Sequence, residues 1–271
     1  MKVLWLLEKF SRKESKRQDF TSPPIVIPNV YKSSIFTLPK LGEVPDTNAD
    51  NCAVDMSSSR FAIADGVSQS FDPRIWSLRV SENAVRSGGQ ISVDSIEELS
   101  KELDTAIPDD EPWYVSEMRD RGSQSTILYI DFEKREQGVI ANLHSVGDCC
   151  AFQIRDGKVI SSWPFRREID FPTRPHAVMT KFPFITGDIE YEKWLLNDSD
   201  EVILATDAMS RFLVRAVERN RDIELESVLP FLSSGSDVFS EWADSARREG
   251  VLEDDDLTVM HISPSSGIFN S

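Results

Sequence analysis

Four short stretches of the sequence place an aspartate at the edge of an apolar run. In residues 60–68, alternating apolar side chains from Phe61 to Ala64 predict a buried strand that ends at Asp65-Gly66. A carboxylate at the end of a rigid strand, followed by a residue without a Cβ, suits the binding of a hard cation. Asp-Gly is also a common turn sequence, so this stretch by itself leaves both interpretations open.

The other three stretches contain Asp50, Asp207 and Asp255 and are widely separated in the chain. Such residues can meet only in the folded structure, where two carboxylates 4 Å apart repel by about 4 kcal/mol at an effective dielectric of 20. Proteins usually offset this repulsion by binding divalent cations. The four stretches together therefore predict a cation site built from aspartates at strand ends.

Five motifs in this sequence resemble, in order and approximate spacing, those of the metal-dependent type 2C serine/threonine protein phosphatases. They are Asn48-x-Asp50, Asp65-Gly66, Gly147-Asp148, Thr206-Asp207 and Asp255-Asp256-x-Thr258. The family pattern runs Asn-Glu-Asp, Asp-Gly, Gly-Asp-Ser, Ser/Thr-Asp-Gly and Asp-Asn-x-Thr. Ser123-Gln124-Ser125-Thr126 also resembles the family's Gly-Ser-Thr strand, and the resemblance spans about residues 41 to 263.

The resemblance implies a fold and a chemistry. The implied fold is α+β, with two antiparallel β-sheets packed face to face and helices on both outer faces. The implied reaction is hydrolysis of phosphoserine and phosphothreonine on proteins by a water that two Mg²⁺ or Mn²⁺ ions activate. The implied partner is a phosphorylated protein, whose phosphorylation a serine/threonine kinase would supply.

The resemblance also assigns roles to individual residues. The implied catalytic residues are Asp50, Asp65, Asp207 and Asp255. The implied metal ligands are Asp50, Asp65, Gly66, Asp148, Asp207 and Asp255. Asp65 would bridge the two ions, and Asp148 would belong to a weaker third site. Asp50 would either bind a metal ion or orient metal-bound waters.

Several positions depart from the family pattern. The family often has an arginine that binds the substrate phosphate five residues before the Asn-x-Asp aspartate, and this chain has Pro45 there. Ala49 stands where the family has a glutamate, and Val67 stands where some members have a histidine. Cys149 replaces the serine of Gly-Asp-Ser, and Ala208 replaces the glycine of Ser/Thr-Asp-Gly. The metal ligands are thus retained without the usual phosphate-binding arginine. Residues that could replace it are Arg74, Arg166, Arg167 and Arg174.

Two main functional hypotheses follow. The first is an active phosphatase. The alternative is a catalytically weak or inactive phosphatase-like module that binds a phosphoprotein or a regulatory partner. The joint presence of Asp50, Asp65, Asp207 and Asp255 favours the enzyme, because a binding module has no need to hold mutually repelling carboxylates together. A metal-binding α+β domain of unrelated function is a third interpretation.

Composition argues against several other classes. A formal net charge of −16 makes nucleic acid or an anionic membrane an unsuitable main partner. The three cysteines and three histidines lack the spacing of a zinc site, and free thiols indicate a reducing compartment. The apolar run at residues 3–7 is too short for a secretory signal, and no stretch is long enough to span a membrane. We therefore expect a cytoplasmic protein.

Hydrophobic periodicity predicts the elements that must position the aspartates. We expect residues 1–40 to form a leader and an extended linker or edge strand, and residues 41–271 to form the phosphatase-like domain. The leader is interpreted either as a solvated helix or frayed terminus, or as a basic amphipathic helix that contacts a membrane or partner. Helical spacing predicts helices at about 73–87, 93–106, 113–121, 211–220 and 236–249. Strands grouped as hairpins between these helices favour α+β over a parallel sheet.

Overall fold

Two five-stranded antiparallel sheets form the centre of the protein. The computed structural model describes residues 31–106, 113–135, 138–219, 232 and 236–265. In chain order the strands are β1 (Tyr31–Leu38), β2 (Asn51–Asp55), β3 (Arg60–Ala64), β4 (Gln124–Ser125), β5 (Ile127–Arg135), β6 (Gly138–Val146), β7 (Cys150–Arg155), β8 (Lys158–Trp163), β9 (Val178–Met179), β10 (Glu190–Leu196), β11 (Glu201–Ala205) and β12 (Leu257–Pro264). The α-helices are α1 (Pro73–Ser87), α2 (Val93–Ala106), α3 (Trp113–Arg121), α4 (Asp207–Glu218) and α5 (Ser236–Arg248).

The two sheets pack face to face between layers of helix. The first has the strand order β10-β6-β5-β3-β2, and the second has the order β1-β12-β11-β7-β8. One apolar cluster lies between the sheets, a second joins the first sheet to α1 and α2, and a third joins the second sheet to α4 and α5. The predicted α+β sandwich with helices on both outer faces is therefore confirmed.

Strand β3 shows how the sequence produces this layering. Phe61 and Ile63 belong to the cluster between the sheets, whereas Ala62 and Ala64 belong to the cluster under helix α1. Successive side chains of a strand point to opposite faces, so a strand buried on both faces needs apolar residues at every position. The alanines leave room for the helix to approach, and the strand ends rigidly at Asp65.

Local signals set the bounds of several elements. Helix α1 begins at Pro73, a residue suited to the first helical turn, and is followed by Gly88 in a left-handed conformation. Asp156 and Gly157 both have positive φ angles at the turn between β7 and β8, as the predicted Asp-Gly hairpin requires. These predictions are confirmed because each depends on neighbouring residues alone.

Two features differ from the expectations or extend them. Helix α4 was expected from Arg211 and begins at Asp207, because Thr206 ends the strand with extended backbone and the helix follows directly. Strand β1 is the edge strand of the second sheet and pairs with β12. The sandwich thus includes residues 31–38, while the domain division at residue 40 stays a prediction. The predicted leader and residues 22–28 of the predicted linker lie outside the described residues.

A buried carboxylate anchors the beginning of strand β11. The Asp200 side chain accepts two hydrogen bonds of 2.7 Å from Arg155 and one of 2.7 Å from Gln153 Nε2. These bonds and the N–H of Asn197 satisfy the carboxylate, and they hold the pKa of Asp200 below its usual value against the opposing effect of burial. Asp200 therefore has a structural explanation, unlike the aspartates at the opposite end of the strand.

No helix in the described part of the chain is long and apolar enough to cross a membrane.

Candidate metal centre

The predicted site aspartates gather at one end of the sandwich. Asp65 follows β3 and Asp207 follows β11, while Asp148 lies in the turn before β7. Asp50 and Asp255 precede β2 and β12. Because neighbouring strands in both sheets are antiparallel, these starts and ends meet at the same edge. The structure thus brings together residues that are up to 205 positions apart in sequence.

Mutual repulsion shows how close these carboxylates are. Burial, followed by the charges of Asp50 and Asp207, raises the pKa of Asp65 well above its usual value. Burial raises the pKa of Asp207 to about 7, with further contributions from Asp148 and Asp255. Burial also raises the pKa of Asp148 to about 6, and a neighbouring arginine opposes this change. The cluster therefore carries a cost of desolvation and repulsion that a bound cation would relieve.

Asp50 is a buried member of the cluster. Its Oδ2 accepts a 2.7 Å hydrogen bond from Thr206 Oγ1, whereas its Oδ1 is buried and has no partner. Thr206 Oγ1 in turn accepts a 2.9 Å hydrogen bond from the N–H of Thr258, which links Asp50 to the second sheet. Thr206 is therefore a positioning residue for Asp50.

Thr206→Val should destabilise the protein by about 1–3 kcal/mol at pH 8, because it leaves Asp50 Oδ2 buried without a donor. Valine has nearly the shape of threonine, so the loss reports the hydroxyl rather than a cavity. Denaturant unfolding of the metal-free protein measures the change, and Thr206→Ser is the matched control that keeps the hydroxyl. Equal destabilisation by serine and valine would contradict this role.

The two adjacent aspartates before β12 have different environments. Asp256 is buried and accepts hydrogen bonds from the N–H groups of Ala49 at 2.9 Å and Lys40 at 3.2 Å. Asp255 is half-exposed, and its Oδ1 lies 2.8 Å from Lys40 Nζ. Asp256 therefore fixes the backbone that precedes Asp50, while Asp255 is left to face the cluster.

Gly66 is required for steric reasons. A Cβ at this position would lie 2.6 Å from the carbonyl oxygen of Pro73 and 2.7 Å from that of Ala49. Both obstacles are backbone atoms, so a larger residue would force the Asp65 loop away from helix α1 or from strand β2. Glycine therefore lets the Asp65 loop pack closely against the backbone on either side.

The arginines that the sequence suggested as phosphate ligands have partners or exposed positions elsewhere. Arg74 forms a long ion pair with Asp46, both side chains being largely exposed, and Arg167 forms two hydrogen bonds with Asp170. Arg166 and Arg174 are exposed. Two other cationic side chains lie next to the cluster. Lys40 Nζ lies 2.8 Å from Asp255 Oδ1, and Arg211 Nη2 lies 3.9 Å from Asp148 Oδ2. Neither could be selected from the sequence, because nothing local marks them.

The cysteines do not supply a nucleophile. Cys149 and Cys150 are fully buried free thiols, and burial raises the pKa of Cys149 well above its usual value and that of Cys150 to about 12. Burial also raises the pKa of Cys52. Because the thiolate is the reactive form, these side chains are unsuited to nucleophilic catalysis at neutral pH.

The donor set fits a hard cation. All candidate ligands are oxygen atoms, and Asp50 Oδ1 and Asp148 Oδ1 are buried without partners. Within the described residues, however, no three Asp, Glu, His or Cys side chains converge as ligands of a single ion. A cation that keeps most of its waters, as Mg²⁺ does, needs only one or two carboxylates in direct contact. The arrangement therefore suits Mg²⁺ or Mn²⁺ and not a closed zinc site.

Comparison with known proteins identifies the fold. The structure is similar to serine/threonine phosphatase Stp1 from Staphylococcus aureus, with 13% identity, a TM-score of 0.58, and coverage of 90% of this chain and 99% of that one. It is also similar to the photosystem II phosphatase PBCP (15% identity, TM-score 0.54, coverage 87% and 99%). The Mycobacterium tuberculosis serine/threonine phosphatase PstP/Ppp gives 12% identity, a TM-score of 0.54, and coverage of 87% and 99%. No family profile matches the sequence, and no curated protein matches it by sequence.

Proposed function

We propose that this chain, which has the fold of the serine/threonine phosphatases, hydrolyses phosphoserine and phosphothreonine esters on proteins with the help of Mg²⁺ or Mn²⁺. The observation that best supports the proposal is the carboxylate cluster at one end of the sandwich, in which Asp50 Oδ1 and Asp148 Oδ1 are buried and unpartnered. A structural cluster would be expected to satisfy these oxygens, as the chain does for Asp200. Oxygens left without protein donors are better explained as groups that bind a metal ion or its bound waters.

Five residues would hold the ions in this proposal. Asp65 would serve both ions, the Gly66 carbonyl oxygen would help to hold one of them, and Asp207 and Asp255 would hold the other. Asp148 would serve a weaker third site, and Arg211 beside it already supplies part of the charge compensation. When bound, the ions supply an activated water and neutralise charge on the phosphoryl group.

Asp50 has a different part from the bridging carboxylate. Its Oδ2 is fixed by Thr206, so its free Oδ1 can accept a hydrogen bond from a water at the site and orient it. Burial, followed by the charges of the neighbouring aspartates, raises the pKa of Asp50 above its usual value, while the hydrogen bond from Thr206 opposes this change. This role requires no nucleophilic side chain.

The proposed substrates are phosphorylated proteins, with a serine/threonine kinase as the opposing activity. Two of the neighbours named above, Stp1 and PstP/Ppp, are described as serine/threonine phosphatases, and the negative charge of this chain disfavours nucleic acid as the partner. Lysine and arginine residues near a phosphorylation site would complement that charge. A cytoplasmic location remains part of the same proposal.

A second candidate is a weak or inactive module that binds a phosphoprotein. The observation that favours it is the ion pair of 2.8 Å between Lys40 Nζ and Asp255 Oδ1. A protein cation on Asp255 competes with a metal ion for the same carboxylate. In the active enzyme, Lys40 would have to yield this oxygen when the metal binds.

Phosphate release from phosphoserine and phosphothreonine peptides separates the two candidates. Protein treated with EDTA should be inactive and should recover activity with Mn²⁺ or Mg²⁺. Asp207→Asn should remain inactive under all conditions, which controls for a contaminating phosphatase. Peptide binding without release at any metal concentration would support the binding module instead.

A further inference from the structure

Helix α4 carries a cationic side chain next to the metal-ligand candidates. Arg211 lies four residues after Asp207, the first residue of the helix, so the two share one helix face. Its Nη2 lies 3.9 Å from Asp148 Oδ2, so its charge reaches the cluster. Arg211 thus lies at the border of the proposed catalytic centre.

The guanidinium of Arg211 is held in place but poorly paired. Its central carbon lies 4.8 Å from the centre of the Phe171 ring, a cation–π contact that helps to hold the group in place. Its ion pairs with Asp148 and Glu253 are long, at 3.9 Å each, and its buried Nε has no hydrogen-bond partner among the described residues. Arg211 therefore keeps hydrogen-bond donors for another acceptor.

Other arginines in the region are committed to protein partners. Arg215, one turn further along α4, donates to Glu168 through Nε at 3.0 Å, and its Nη2 also lies 3.0 Å from that carboxylate. Arg247 is almost completely buried and donates to the carbonyl oxygens of Pro39 and Asp255. Arg247 Nε also lacks a partner, but the Arg247 side chain is only 1% exposed and cannot reach a ligand. Of these three arginines, Arg211 is the one that has donors without partners and a side chain accessible from solvent.

We propose that Arg211 binds the phosphate group of the substrate and takes over the role for which the sequence has no arginine at position 45. This inference rests on the proposed function. A planar guanidinium matches two oxygens of a phosphate and remains charged at every relevant pH. The contact with Phe171 keeps the guanidinium beside the cluster, and a phosphate would replace the two long ion pairs of Arg211 with direct hydrogen bonds.

The test compares Arg211→Gln, Arg211→Lys and Arg215→Gln with the unaltered chain. Inorganic phosphate is titrated calorimetrically into each Mn²⁺-loaded protein. Mn²⁺ binding is measured in a separate experiment, from the electron paramagnetic resonance signal of the free ion. Arg211→Gln should weaken phosphate binding roughly ten- to a hundredfold, and should raise KM for p-nitrophenyl phosphate by a similar factor with kcat little changed. The phosphate affinity of Arg211→Lys should lie between those of Arg211→Gln and the unaltered chain, because lysine keeps the positive charge but lacks the planar guanidinium that can bind two oxygens.

The controls separate this inference from the proposed function. Arg215→Gln should leave phosphate affinity unchanged, and every variant should bind Mn²⁺ at least as tightly as the unaltered chain, because Arg211→Gln removes a positive charge that lies next to Asp148. Unchanged phosphate affinity in Arg211→Gln that still binds Mn²⁺ would overturn the role of Arg211 and leave the phosphatase function standing. A chain that binds phosphate through Arg211 but shows no Mn²⁺-dependent turnover would support the inference and refute the proposed catalysis. A chain that binds neither Mn²⁺ nor phosphate would refute both.

Discussion

Asp65→Asn should lower Mn²⁺-dependent phosphate release by about a thousandfold or more while the chain stays folded. The proposed metal ions supply several kcal/mol of transition-state stabilisation, and each 1.4 kcal/mol corresponds to a factor of ten in rate. An amide at position 65 cannot bridge two cations as a carboxylate can. The same change removes one charge from a cluster in which Asp50, Asp207 and Asp148 raise the pKa of Asp65. The metal-free variant should therefore melt at a higher temperature than the unaltered protein.

A second Asp-Gly pair in the chain provides a matched control. Asp156-Gly157 forms the turn between β7 and β8, and Asp156 has a φ of 52°, which asparagine also adopts readily. Asp156→Asn should leave both activity and melting temperature nearly unchanged. Full activity in folded Asp65→Asn would exclude Asp65 as the bridging ligand, and loss of folding would instead make it a structural turn residue.

Without metal, the protein should become less stable as the pH rises from about 4 to about 7. Burial and neighbouring carboxylates raise the pKa of Asp207 to about 7, and burial raises that of Asp148 to about 6, from an ordinary value of 3.8. The folded state thus binds protons more tightly than the unfolded state in this range. Stability gained by protonation is present below about pH 4 and is lost as the pH rises through the folded-state pKa values.

Mn²⁺ should reverse this trend, because metal ions bind the deprotonated carboxylates. At a concentration of 100 times its dissociation constant, one ion adds about 2.7 kcal/mol to the free energy of unfolding. For a chain of this size, that corresponds to a rise in melting temperature of roughly 5–10 °C. The benefit should be larger at pH 7.5 than at pH 5.5, where protons compete for the same oxygens.

Melting curves from pH 5 to 8, with EDTA and with Mn²⁺, measure both effects. Asp207→Asn should flatten the pH dependence of the EDTA-treated protein, since it removes a group with a raised pKa. Equal amounts of Mg²⁺ and Ca²⁺ test whether a general charge effect explains the stabilisation. A melting temperature that is insensitive to Mn²⁺ at pH 7.5 would contradict the proposed metal centre.

The sequence predicted the elements well wherever a local cause sets their bounds. Helix α1 begins at Pro73 and ends before Gly88, as the preferences of proline and glycine for these positions require. The start of α4 was placed too late, because Asp207 was assigned to the end of a strand. Strand β11 ends at Ala205, Thr206 still has extended backbone, and helix α4 begins at the next residue. The sequence pattern alone does not show where the backbone changes from extended to helical.

Hydrophobic periodicity in the sequence predicted an α+β chain with aspartates at strand ends, because alternating apolar residues are a local property. The two-sheet sandwich was implied by the resemblance of the motifs to the type 2C phosphatases. The resemblance assigned Asp255 and not Asp256 as a ligand, but the different environments of these two residues depend on backbone amides about 200 positions away. The sequence also did not select Lys40 or Arg211 as the cations of the cluster. Charge contacts across strands depend on distance in space, and Coulomb energy has no signature in sequence order. Only the tertiary structure could therefore decide which carboxylates are satisfied and which remain free to act as ligands.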